Sequence, residues 1–326
     1  MDPIKSNLLS PVALAFALGV VARVIKSEFS LPRDVYAALS VFLLFSLGLK
    51  GGVELGHADL SVVAWPAVVT LALGCLTPLS AYAVLRGLGR FSVSDAAGIA
   101  AHYGSVSAVT SIAAVTFARG MNAEPEGFMP TLLTLLESPG IHIALAIGAL
   151  KTAKPGQSVK SVLHEVLTGR SMVLLVGGLI VGLLMGEQHW AGIEGFFDTR
   201  GAIFKGALTL FLLEMGVVAG SRLSDLKRVG PFLLGFGVLM PVVHGLAGAW
   251  LGTLAGLSVG GATVLAAMAA SASYIAAPPA VRMTLPEANP TYYLTASLVI
   301  TFPFNLLVGI PLYFEAARWL HGAGGA

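Results

Sequence analysis

The sequence predicts an all-α polytopic membrane protein of ten transmembrane helices, arranged as two inverted sets of five. Three observations carry that reading. Of 326 residues, 56% are hydrophobic and 11% charged, whereas soluble domains run near one quarter charged; mean hydropathy is +0.84. Apolar runs recur along the whole chain, and residues 229–281 hold no Asp, Glu, Lys or Arg. Such a core is too large for a soluble fold, so the bilayer is the expected solvent. Finally, the runs fall into two groups that echo each other.

The crossings are expected at about 8–25, 35–55, 60–85, 96–118, 127–150, 171–186, 203–221, 229–253, 259–282 and 291–315, most near the roughly 20 residues a bilayer needs. The first run, behind Lys5, has the look of a secretory signal. Arg23, Lys26 and Arg33 follow it at once, and the repeat needs it as counterpart of the sixth run, so it is expected to stay as a helix. The third run holds Cys75, the single cysteine of the chain, which excludes an internal disulfide or a cysteine metal cluster. The fourth, AAGIAAHYGSVSAVTSIAAVTFA, is interrupted by Gly104-Ser105-Val106-Ser107. The fifth contains LLTLLESPGIHIALAIG, with Glu137 midway. The sixth is short at 16 residues and must borrow from its flanks or tilt. The ninth, GATVLAAMAASASYIAAPPAV, is interrupted by Ser271-Ala272-Ser273-Tyr274 and then Pro278-Pro279.

Residues 151–170, the longest loop, are polar and basic and divide the chain into a first repeat (1–150) and a second (171–326). Phe45-Ser46-Leu47-Gly48 with Gly52 parallels Leu213-Glu214-Met215-Gly216 with Gly220 at an offset of 168, where Gly104-Ser105 also meets Ala272-Ser273. Leu136-Glu137-Ser138-Pro139 parallels Ile300-Thr301-Phe302-Pro303 at an offset of 164. Five helices is an odd number, so the halves insert upside down relative to each other, a layout of many secondary transporters. Thirteen Lys and Arg fall in the loops after odd-numbered helices and six on the other side. The positive-inside rule then puts both termini outside and residues 151–170 in the cytoplasm.

A helix that unravels inside lipid leaves backbone groups unpaired, which is tolerated only against protein, water or a solute. Paired interruptions in two halves therefore point to a transport site. A half-helix N-terminus offers free N–H groups and partial positive charge, which suit an anion. Ser105, Ser107, Ser271 and Ser273 add hydroxyls for a small oxyanion. The competing account is that small residues only let helices pack closely.

Glu137 is a carboxylate at membrane depth, a functional candidate by default. With Ser138 and the kink at Pro139 it resembles a sodium ligand, and its counterpart segment offers Thr301 and Asn305. Hard oxygen ligands fit sodium better than a transition metal, which calls for His or Cys. A proton carrier or a helix-pairing role stays open for Glu137. Glu214 and Lys50 are expected to pair across the repeat, with Glu54 at the membrane interface, and all three to serve structure or gating. His102, His142 and His244 make no HExxH motif, so zinc is not expected. No adjacent Asp pair of the proton-antiporter kind and no nucleophile–base pair occurs, so the chain is not expected to be an enzyme. A net charge of +2 gives no reason to expect nucleic acid.

Several strings resemble one family. LAFALG, LGLKGG, YGSVSAVT, LLTLLESPGIHIALAI, LFLLEMGVVA, ASASYIAAPPAVRMTLPEANP and ITFPFNLLVGIPLY are similar to the cyanobacterial sodium-dependent bicarbonate transporters of the SbtA type. The resemblance implies a trimer in the plasma membrane and sodium-coupled bicarbonate uptake for inorganic-carbon accumulation. It also implies a cytoplasmic PII-like partner that senses adenine nucleotides. Bicarbonate would sit among Gly104, Ser105, Val106, Ser107, Ser271, Ala272 and Ser273, and sodium, the coupling ion, near Glu137, Ser138, Thr301 and Asn305. By analogy with broken-helix symporters, residues 60–150 and 229–315 would form a moving core against a scaffold of 8–55 and 171–221. Transport of another small or organic anion, coupled to sodium or protons, is the alternative.

Overall fold

The computed structural model describes residues 9–137, 139–152, 168, 170–274 and 276–323, and every regular element among them is helical. In the first half, α1 (Pro11–Val24) leads through a strap, residues 25–32, to α2 (Arg33–His57) and α3 (Leu60–Gly87). The fourth crossing comprises α4 (Val93–Tyr103) and α5 (Ala108–Gly120), and the fifth α6 (Met129–Glu137) and α7 (Pro139–Thr152). The second half holds α8 (Arg170–Trp190), the short α9 (Glu194–Phe197), α10 (Ala202–Ser221) and α11 (Leu226–Leu254). It ends with α12 (Val259–Ala269), α13 (Ala277–Thr284) and a last rod, α14 (Pro290–Gly322). Most of the 151–170 linker lies outside the described residues.

Seven spans among the described residues are long and apolar enough to cross a membrane, and Pro11–Val24 and Val259–Ala269 are shorter apolar helices. The chain is a multi-pass membrane protein. Its exposed apolar side chains, such as Leu60, Trp65 and Leu76 on α3 and Leu239, Val243 and Trp250 on α11, would be a liability in water and are ordinary against acyl chains. The regular helix of the sixth crossing is short, as expected: it breaks at Gly186, whose φ of 64° favours glycine, and α8 reaches Trp190 only by borrowing residues beyond that kink.

In lipid there is little hydrophobic drive between helices, so close approach at small residues decides which ones pair. On α1, a Cβ at Gly19 would lie 3.0 Å from the Gly216 Cα of α10. On α8, a Cβ at Gly182 would lie 3.1 Å from the Gly52 Cα of α2. Glycine at these places is what brings α1 onto α10 and α2 onto α8.

The expected Lys50–Glu214 pair does not form. Lys50 bonds Glu54 at 2.7 Å, one turn along α2, and its ammonium stands 5.4 Å from the centre of the Trp190 ring. Glu214 instead accepts the backbone N–H of Leu31 at 2.7 Å. Leu31 lies just before the start of α2, and Lys50 is about 25 Å further along that helix at 1.5 Å per residue. A nearby i,i+4 partner wins for Lys50.

Candidate functional site

The two interruptions are built by local capping chemistry. Ser92 caps α4 by accepting the Asp95 N–H at 3.0 Å, and Gly104 ends it. Ser107 restarts the chain as α5 by accepting the Thr110 N–H at 3.3 Å. In the second half Ser258 caps α12 through the Gly261 N–H at 3.1 Å, and that helix, like α4, is 11 residues long. Ser273 accepts the N–H groups of Ala276 and Ala277 at 3.2 and 3.4 Å. Pro278 follows in the first turn of α13, where its missing N–H costs nothing.

Buried backbone groups freed by a break need partners, and here each break supplies the other's. The Ser107 N–H donates to the Ser271 hydroxyl at 2.8 Å, which in turn donates to the Met268 carbonyl at 2.8 Å. The Ser273 N–H donates to the carbonyls of His102 at 2.8 Å and Ser105 at 3.1 Å. Gly104 lies hard against α7: a Cβ there would fall 2.9 Å from the Gly140 Cα. Gly104, Ser105, Val106, Ser107, Ser271, Ala272 and Ser273 are therefore gathered in one buried crossing. The Ser105 hydroxyl makes no protein hydrogen bond there.

Beside the crossing is a small cavity of about 20 Å³, room for about one water-sized molecule. It is lined by Val106, Ser107, Ala108 and Val109 of the first break and α5, by Ser273, Tyr274 and Ala276 of the second, and by Ser40, Leu43 and Leu44 of α2 and Phe211 of α10. Glu137, at the last turn of α6, lines the same cavity. It is 5% exposed, and its Oε2 has no hydrogen-bond partner. No basic side chain lines the cavity. An ionised carboxylate in that place requires a cation, and a neutral one requires a proton.

Thr301 and Asn305 do not line this cavity. The Thr301 hydroxyl donates to the Gly237 carbonyl at 2.7 Å and stands 2.6 Å from the Tyr103 hydroxyl. Asn305 donates to the Ala270 carbonyl at 2.8 Å and accepts from Tyr313 at 2.9 Å. Both brace the breaks from behind, at the last residue of α4 and just past the end of α12. Ser138 lies outside the described residues.

Two polar lining residues, Tyr274 and Ser40, are not among the site residues expected from the sequence. Tyr274 directly follows Ser273 in the interrupted string, so its position was a usable signal; its ring meets Phe302 edge-on at 5.2 Å. Ser40 sits in an unbroken helix and carried no signal. Oxygen groups of Glu137, Ser107, Ser273, Tyr274 and Ser40 are thus the polar complement of the cavity. This is a hard donor set, suited to an alkali cation rather than to a soft metal.

Residues 11–318 match the model of a family described as the Na+-dependent bicarbonate transporter superfamily. No curated protein matches the chain.

Proposed function

The chain belongs to the Na+-dependent bicarbonate transporter superfamily, and from that premise we propose that it is a secondary active symporter, drawing bicarbonate into the cell on the inward sodium gradient for inorganic-carbon accumulation. A member of a transporter family, it is not an enzyme. The observation that carries the reading is the meeting of two broken crossings and one unpaired carboxylate at a single cavity.

In this reading sodium enters first and neutralises Glu137, with cavity hydroxyls completing its oxygen shell and Thr301 and Asn305 steadying the breaks. The anion then meets the N-terminal ends of α5 and α13 and the polar groups of Gly104–Ser107 and Ser271–Ser273. Without the cation, the carboxylate repels it. Coupling follows if the mobile part shifts readily only when empty or doubly loaded, a difference in stability between states.

The moving core is assigned to 60–150 and 229–315 and the scaffold to 8–55 and 171–221, an elevator-like division. Its support is the cavity itself, whose lining joins residues of α2 and α10 to residues of the two breaks. The ten-crossing inverted repeat is supported by corresponding helix pairs: α1 on α10, α2 on α8, and the equal, serine-capped α4 and α12. The resemblance extends the proposal to a homotrimer in the plasma membrane, with both termini outside and a cytoplasmic PII-like regulator that senses adenine nucleotides.

The test is uptake of labelled bicarbonate into proteoliposomes, with and without an inward sodium gradient. Sodium-driven accumulation that excess unlabelled bicarbonate suppresses is expected. Uptake indifferent to sodium would overturn the coupling. Suppression by a different anion at lower concentration would transfer the substrate role to that anion.

A further inference from the structure

Glu214 is a buried carboxylate, 7% exposed, in the middle of a membrane helix. Such a group needs a reason to be there. Its one described strong partner is the backbone N–H of Leu31, 183 residues away in sequence, at 2.7 Å. A bond of that length from a backbone donor to a carboxylate is charge-assisted, roughly twice as strong as a neutral one.

Leu31 belongs to the strap between α1 and α2. The strap leaves α1 through a left-handed residue, Lys26 with φ 60°, bends where the Phe29 N–H meets the Ser27 hydroxyl at 3.2 Å, and enters α2 at Arg33. One turn into α2, Tyr36 stacks on Phe211 of α10, with centroids 5.0 Å apart and planes 17° from parallel. The Tyr36 hydroxyl donates to the Met215 sulfur at 3.5 Å. Phe211, Glu214 and Met215 lie within a turn and a half of one another on α10, and Phe211 is a wall of the Glu137 cavity.

We propose that Glu214 is a latch: by holding Leu31 it fixes the strap and the first turn of α2, and so presses the Tyr36–Phe211 stack shut over the cavity on the strap's face of the membrane. Glu214 touches neither ion. It is a positioning residue, and opening the cavity toward the strap requires the Leu31 bond to break or the stack to part. The role of this opening in bicarbonate passage rests on the transport reading above; the latch itself does not.

The test is thiol accessibility. In a Cys75→Ser background, which removes the only cysteine, Ser40→Cys places a thiol on the cavity wall. A membrane-impermeant thiol reagent is then applied from each face of oriented vesicles. Glu214→Ala and Leu31→Pro, which deletes the donor and spares the carboxylate, should each speed labelling from the strap face about tenfold, the equivalent of one charge-assisted hydrogen bond. Glu214→Gln, which keeps an acceptor, should fall between them and the parent. Labelling from the opposite face should not change. The double variant should be no faster than either single one, because both cut the same bond. Equal labelling in parent and variants, or a rise from both faces alike, overturns the latch. Labelling needs neither sodium nor bicarbonate, so sodium-driven uptake by the parent with unaltered accessibility in the variants sinks the latch alone, and sodium-indifferent uptake by the parent with altered accessibility in the variants sinks the transport reading alone.

Discussion

The backbone N–H of Ser107 donates to the hydroxyl of Ser271 over 2.8 Å, across 164 residues of chain. Two helices that each fail in the middle of the protein are thereby joined at the point of failure, and the groups one break exposes are answered by the other.

Ser271→Ala should remove that acceptor and leave a buried N–H unanswered, at a cost of about 1–3 kcal/mol. A fall in thermal unfolding temperature in detergent is the expected result. Ser105→Ala is the contrast. Its hydroxyl makes no protein bond, so stability should hold or rise, while the apparent affinity for bicarbonate should drop.

Glu137→Ala should abolish sodium stimulation of uptake, with a loss of at least about tenfold in the sodium-driven rate, which corresponds to roughly 1.4 kcal/mol. The readout is initial uptake in proteoliposomes over a range of external sodium. A variant that still responds to sodium like the parent would remove Glu137 from the coupling site.

Gly19→Val should drive α1 from α10, because its Cβ would lie 2.9 Å from the Val217 nitrogen and 3.0 Å from the Gly216 Cα. Overpacking of this kind costs about 1–3 kcal/mol where neighbours can yield, and here the neighbours are backbone. Poor recovery of folded protein by size-exclusion chromatography is expected. Gly206→Ala, on α10 with nothing within 4 Å of its Cβ, should be neutral or mildly stabilising.

Outside the membrane spans, Glu124 in the loop between α5 and α6 meets Arg119 at 3.0 Å and Arg200 at 2.6 Å. Partial burial pushes the Glu124 carboxyl up, but the two guanidinium groups together outweigh it and hold it below the ordinary value of 4.5. A carboxyl depressed on folding adds stability above its unfolded pKa and loses that gain as pH falls through the lower, folded one. The difference in unfolding temperature between parent and Glu124→Gln should therefore be full above about pH 5 and vanish in strong acid. With the carboxylate half exposed, the effect should be under about 1 kcal/mol and shrink in high salt.

Much of the fold was legible because its signals are local. Apolar runs mark membrane helices, and serine beside glycine or proline marks where a helix stops and restarts, so the breaks at Gly104–Ser107 and after Ala270 could be read from their strings. Glu137 was legible as a carboxylate at forbidding depth. The partners were not. Thr301 and Asn305 share oxygen chemistry with Glu137, yet their polar groups go to Gly237, Tyr103, Ala270 and Tyr313. Lys50 and Glu214 have opposite charge but take different partners.

By itself, then, the sequence determined that this chain lives in a bilayer and where its helices give way, since hydropathy and capping act over a few neighbouring residues. Only the tertiary structure decided that Glu137 would share a cavity with Ser107, Ser273 and Tyr274, and that Glu214 would reach Leu31. Those relationships depend on which helices lie close enough for their glycines to touch, a matter of packing among segments far apart along the chain.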